Sequence, residues 1–138
     1  MKNISTYNFD HPDAFDWKLL QDTLRKLKKR EDVVIPRYNY STCKRDEPGN
    51  IVKCTDLILF EGIFALYDKE VCNMLDLKLF VDTDADVRLI RRIKRDTVER
   101  GRKIEGVLKS YNRFVRPAHN DFIKPTMRKA DLIIPHGV

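Results

Sequence analysis

The sequence predicts an α/β fold built on a parallel sheet flanked by helices. Three apolar runs carry the prediction: residues 57–60 (LILF), 77–81 (LKLFV) and 132–134 (LII). Each is short and is stopped by an acid or a proline, as strands buried on both faces are. The stretches between them repeat apolar residues at helical spacing, and strands alternating with helices imply parallel crossovers. The chain has 138 residues, 42% of them hydrophobic and 35% charged. That is one soluble domain, and no repeat, linker or low-complexity tract divides it.

Taken in order, the first helix signal is Asp10-His11-Pro12-Asp13, a proline near a first turn flanked by acids. Trp17, Leu20, Leu24 and Leu27 follow at helical spacing, and the cations of residues 25–30 suit the negative end of the helix dipole. Val33-Val34-Ile35 is a short strand stopped by Pro36. A polar stretch with Glu47-Pro48-Gly49 as its turn leads to Ile51-Val52, which returns as the partner strand. The result is a small β-hairpin excursion carrying Tyr38 and Tyr40. Between the second and third apolar runs, residues 84–100 form an arginine-rich helix. Leu89, Ile90 and Ile93 fall on one side of it, and Arg88, Arg91, Arg92, Arg95 and Glu99 on the other. Gly101 interrupts, and Ile104, Val107, Leu108, Tyr111 and Val115 continue the helical pattern until Pro117.

Lys plus Arg number 27 and Asp plus Glu 21, a net charge of +6 that points to anionic partners. No apolar run reaches the roughly 18 residues a membrane span needs, and the N-terminus has no secretory h-region. Cys43, Cys54 and Cys72 are isolated, as expected of reduced thiols in a cytoplasmic protein. His11, His119 and His136 are too scattered for a zinc site.

Three features could carry chemistry. Glu61 stands where a buried strand ends, and ligands bind at such carboxyl ends in open parallel sheets. It can serve a magnesium ion or merely cap the following helix. Arg88, Arg91, Arg92 and Arg95 crowd one stripe of residues 84–100. Guanidinium forks suit phosphate oxygens, although nearby acids such as Asp96 and Glu99 could leave this a solvated face. Asp10 is either an N-cap or a carboxylate for a vicinal diol. Phe9, Tyr38 and Tyr40 either stack on a planar base or complete a core. The phosphate-cradling pattern GxxxxGK[ST] is absent. Gly101 and Gly106 have its spacing, but Val107 and Leu108 follow.

These pieces stand in a recognisable order: NFDHPDAFD at 8–16, IPRYNY at 35–40, LFEGI at 59–63, LFVDTDAD at 79–86, then RRIKRD at 91–96, ERGR at 99–102, KPT at 124–126 and ADLIIP at 130–135. From about residue 7 to 137 the chain resembles the uridine–cytidine kinases of the phosphoribulokinase/uridine kinase group of P-loop kinases. The resemblance implies a partial P-loop-kinase-like α/β fold with an arginine-rich lid helix. It implies a transferase that moves phosphate from ATP to the 5′-hydroxyl of uridine or cytidine in pyrimidine salvage, with Mg2+ as cofactor.

By the same resemblance, Asp10 binds ribose hydroxyls with Arg92, and Phe9, Tyr38 and Tyr40 shape the base pocket. Glu61 belongs to the magnesium site. Arg92, Arg95 and Arg100 serve catalysis, Arg95 and Arg100 from the lid on the ATP phosphates, and Arg102 approaches the base. Cys43 and Ser110 occupy pocket positions where relatives carry a histidine and a glutamine, which leaves the preferred base open. The family's P-loop unit, its general-base aspartate and its last helix have no counterpart in these residues. The expectation is therefore the acceptor-and-lid portion of such a kinase, inactive alone, marginally stable or self-associating. Uridine or cytidine, ATP–Mg and further copies of the chain are the implied partners. Two alternatives are a catalytically dead relative that binds a nucleoside or a partner subunit, and a nucleic-acid binder. The second rests on charge alone.

Overall fold

A computed structural model describes residues 7–39 and 44–137. Tyr40 and Cys43 lie outside the described residues. A short 3-10 turn at Pro12–Ala14 precedes helix α1 (Trp17–Lys28), and strands β1 (Val33–Asn39) and β2 (Lys44–Val52) form the hairpin. Helix α2 (Lys69–Met74), strand β3 (Leu79–Val81) and helix α3 (Ala85–Lys94) follow. A π turn at Arg95–Glu99 extends α3. Helices α4 (Ile104–Ser110) and α5 (Arg116–Ala118) are joined by a π turn at Tyr111–Val115. A further π turn and a 3-10 turn at Lys124–Lys129 lead to strand β4 (Leu132–Ile134). The fold is α/β: β3 and β4 pair in parallel, with Leu79, Phe80 and Val81 opposite Leu132, Ile133 and Ile134, and helices make the crossover between them.

Helix α1 starts later than the Asp-Pro signal suggests. Pro12 starts only a single 3-10 turn, capped by the His11 ring rather than by Asp10. Asp16 is the true N-cap, its Oδ1 accepting from Leu19 N at 3.1 Å. Leu24 and Leu27 are buried, as the periodicity requires. Lys28 Nζ donates to the Met74 carbonyl at 2.6 Å, and Gln21 donates to Asp68, the N-cap of α2. These bonds fix α1 against α2, whose Val71 is fully buried.

The hairpin pairs Val33 with Val52 and Val34 with Ile51, as expected. Glu47-Pro48-Gly49 does not turn, however; it lies inside β2. Pairing jumps from Ile35–Asn50 to Arg37–Asp46. Pro36 and Pro48 both lack the donor a ladder needs, so the mismatch is absorbed there as a bulge. A Cβ on Gly49 would meet the Ile35 carbonyl oxygen at 2.5 Å, which explains glycine at this close approach.

Residues 57–60 depart most from expectation. They form no strand and pair with nothing among the described residues, with Leu57 85% and Leu59 87% exposed. An apolar run becomes a buried strand only where neighbours take up both its edges and both its faces, and no described segment does so here. For the same reason only Phe80 of the parallel pair is buried, while Leu79, Val81, Leu132 and Ile133 stay exposed. Lys78 holds the start of this pair: its backbone N and its Nζ both reach Asp131 Oδ2, at 2.7 and 3.0 Å. Those contacts hold the Asp131 carboxyl below its usual range.

Pro117 does not end the helical stretch after Gly101. A proline removes one helical donor, and the wider π turns at Tyr111–Val115 and His119–Ile123 flank it, so helical structure continues to Lys129. Phe15, Trp17, Phe64, Tyr67 and Phe122 form a chain of ring contacts joining the start of the described residues to this stretch. Lys129 Nζ closes it by donating to the carbonyls of Leu66 and Tyr67.

Two substitutions should behave in opposite ways. Val71→Ala should cost about 2 kcal/mol in urea unfolding. Leu59→Glu should change stability by less than about 0.5 kcal/mol and should reduce concentration-dependent association in sedimentation. Unchanged association in Leu59→Glu would show that this exposed segment is not the sticky surface.

Candidate functional site

The site is built by the end of α3. The helix begins after Asp84, and Arg88 Nε reaches back to the Thr83 carbonyl at 3.0 Å. From Arg95 the backbone widens into the π turn, which rotates Asp96 inward until it is 0% exposed. Gly101 then adopts φ +62°, the left-handed region that disfavours any side chain. That turn carries the chain back on itself, and Arg102 N donates to the Asp96 carbonyl at 2.9 Å.

Four arginines converge on the Asp96 carboxylate. Arg95 Nε and Arg100 Nη1 donate to Oδ1 at 2.9 and 3.2 Å. Arg102 Nη1 donates to Oδ2 at 3.4 Å. Arg92 Nε lies 3.7 Å from Oδ2, within ion-pair range but beyond a hydrogen bond, and is buried without a hydrogen-bond partner. Taking a carboxylate out of water is costly unless cations repay it, and here four do. The cluster nevertheless keeps a surplus of positive charge. The uniform arginine stripe expected of residues 84–100 is not what forms. Arg91 and Glu99 face solvent, Arg88 serves Thr83, and Ile90, expected on the apolar side, is 65% exposed.

Asp10 is a second carboxylate within electrostatic reach of the cluster. Burial raises its carboxyl above the ordinary 3.8; Arg92 pulls hardest against that rise, Asp96 adds to it, and Arg102 and Arg95 oppose it. Asp10 is thus half-buried beside the arginines, and its backbone N takes the Asn8 side chain as acceptor. Phe9, next to it, meets Tyr7 edge-on at 4.7 Å.

A separate apolar cavity of about 330 Å³ opens between α1, β1 and the 60–65 segment. Trp17, Leu20, Ile35, Tyr38, Phe60 and Glu61 are among its walls, so Tyr38 and Glu61 share one recess. Ser110 ends α4 and is half-buried. The structure therefore brings Arg92, Arg95, Arg100 and Arg102 together with Asp10 in reach, and Tyr38 together with Glu61. Asp96 is the residue that sequence reasoning undervalued, as one neutralising acid among several. Its signal was present: it stands four residues after Arg92 and four before Arg100, the spacing of neighbours on one helix face.

Among the described residues no group of three or more His, Cys, Asp or Glu could hold a metal ion, and Glu61 is a single exposed carboxylate. Mg2+ commonly takes only one or two carboxylates and completes its shell with phosphate oxygens and water, so one acid is compatible with it.

The model of the phosphoribulokinase/uridine kinase family matches residues 2–138. The chain is 50% identical over 133 residues to uridine-cytidine kinase-like 1 of Mus musculus, covering 96% of this chain and 24% of that protein. It is 49% identical over 136 residues to uridine-cytidine kinase B of Dictyostelium discoideum, covering 99% and 56%. Against the uridine kinase of Halobacterium salinarum it is 48% identical over 130 residues, covering 94% and 58%. The chain thus spans between about a quarter and three-fifths of the length of these relatives.

The Asp10 environment has a pH signature. Because the folded state holds this proton more tightly, the contribution to stability is full below 3.8 and is lost as pH rises through the raised value. Asp10→Asn should therefore gain stability relative to wild type across that window and level off above it. Urea titrations at steps between about pH 3 and pH 7 measure the difference; a difference that does not change with pH would remove the buried-carboxylate account.

Proposed function

The chain belongs to the phosphoribulokinase/uridine kinase family, and from that premise we propose that it is the nucleoside-acceptor and lid portion of an ATP-dependent uridine/cytidine kinase of the cytoplasm. The reaction is transfer of the γ-phosphoryl group of ATP to the nucleoside 5′-hydroxyl, giving UMP or CMP in pyrimidine salvage. The observation that carries the reading is the convergence of four guanidinium groups, short of negative charge, beside the half-buried Asp10. Phosphoryl transfer spreads charge over the moving group's oxygens, and fixed cations stabilise it.

In this reading Asp10 accepts hydrogen bonds from the ribose hydroxyls and Arg92 braces the same sugar. Burial suits Asp10 to the role, because a carboxylate partly removed from water gains more from two hydroxyl donors. Arg95 and Arg100 contact the phosphates from the lid. Arg102 lies toward the base, with Phe9, Tyr38 and Tyr40 supplying apolar walls, and with Cys43 and Ser110 bearing on which pyrimidine is preferred. Glu61 contributes one carboxylate toward Mg2+, which when bound supplies charge neutralisation for the phosphates.

The donor phosphates also need a backbone cradle, and the 138 residues contain no GxxxxGK[ST] loop. The chain by itself should bind nucleoside without turning it over. For a protein made of these residues alone, the second reading is a non-catalytic relative that binds nucleoside or a partner subunit. The two part on whether a P-loop-bearing segment accompanies these residues in the cell, which the intact mass of the endogenous protein decides.

Two measurements test the site itself. Saturation-transfer NMR should detect uridine or cytidine binding to the chain, lost in Asp10→Ala. In the catalytically complete protein, Asp10→Ala and Arg92→Ala should each cost about 2–4 kcal/mol in kcat/KM, the usual loss of a charged, desolvated contact. Unchanged kcat/KM in both would refute the assigned roles.

A further inference from the structure

We propose that Asp96 is a positioning residue, a buried carboxylate that gathers Arg92, Arg95, Arg100 and Arg102 into one preformed ligand-binding set, in which Arg95 and Arg100 are presented to phosphates. The proposal deepens the kinase reading and rests on it. That reading takes the arginines as ligand contacts; the geometry points to the group that arranges them.

Asp96 is fully buried and offers no surface to a ligand. All four of its guanidinium neighbours are partly exposed, so they face inward to one carboxylate and outward to solvent at once. Arg95 engages Asp96 through Nε, at the base of its fork, and its terminal Nη pair remains for an outside acceptor. The four arginines come from three local structures: Arg92 from α3, Arg95 from the π turn, and Arg100 and Arg102 from either side of Gly101. Without a common acceptor these cations repel one another and each long side chain samples water freely. Holding them beforehand removes an ordering cost from ligand binding.

The proposal makes a prediction of definite sign. Asp96→Asn keeps the shape of the side chain but removes its charge, leaving the cluster one unit more positive. If Asp96 only neutralised the site, an anion would bind Asp96→Asn more tightly. If Asp96 positions the arginines, the anion binds more weakly despite the added positive charge.

Calorimetric titration of the 138-residue chain with sodium tripolyphosphate, a mimic of the donor's phosphate chain, separates these cases. The expected result is an affinity at least about tenfold weaker in Asp96→Asn, of the order of one lost charge-assisted contact, with partial recovery in Asp96→Glu. Equal or tighter binding by folded Asp96→Asn overturns the proposal while leaving the phosphate reading intact. Absence of binding by wild type, or binding unaffected by Arg95→Ala and Arg100→Ala, overturns the phosphate reading and the proposal with it. Should Asp96→Asn fail to fold, the ligand-free wild type still decides. The Arg95 Nε–H signal should exchange with water more slowly than that of exposed Arg91 in nitrogen-15 NMR, and equal exchange rates overturn the preformed arrangement.

Discussion

A buried negative charge is tolerable only where cations meet it, and Asp96 places that constraint on everything around it. Its carboxylate has four lone-pair directions to satisfy and no water to help. Satisfying them fixes the π turn that points it inward, the left-handed Gly101 that returns the chain, and the orientation of Arg92, Arg95, Arg100 and Arg102. The arginines in turn set the environment of Asp10, whose carboxyl is pushed one way by burial and pulled the other by their charges. One interaction thus connects the end of α3, the turn before α4 and the N-terminal segment.

Much of this was legible because it depends on local pattern. Helix α1 follows from apolar residues recurring at helical spacing, and β1 and β4 from short apolar runs closed by a proline. What escaped depends on context. The Glu47-Pro48-Gly49 signal reads as a turn, but the segment lies inside β2, where the pairing shifts register between Ile35 and Arg37. The apolar run 57–60 reads as a buried strand, yet burial belongs to neighbours rather than to the run itself. The arginine face assumes one ideal helix over residues 84–100, but regular α3 ends at Lys94 and the π turn at Arg95–Glu99 places Asp96, not a further arginine, on the inside.

The site divides along the same line. Residue types such as a run of arginines or an aspartate before His-Pro-Asp can be read from the chain. Which arginines face one another cannot, because that depends on a backbone excursion at Gly101 and on which acid lies inside. Among the described residues the fold shows two small sheets rather than one continuous sheet, with apolar rows left open on Leu59, Val81 and Leu132. The ion pairs that gather the arginine cluster on Asp96 all lie within residues 92–102.

The single tryptophan of the chain has a consequence of its own. Trp17 is stacked between Phe15 and Tyr67, its indole N–H donates to the Pro12 carbonyl, and it forms part of the wall of the apolar cavity that Tyr38 and Glu61 share. The molecule therefore carries an intrinsic fluorophore in the wall of a recess of about 330 Å³. Its emission reports on that recess alone, undiluted by other indoles, so occupancy there can be followed optically without a label while events at the arginine cluster are followed separately.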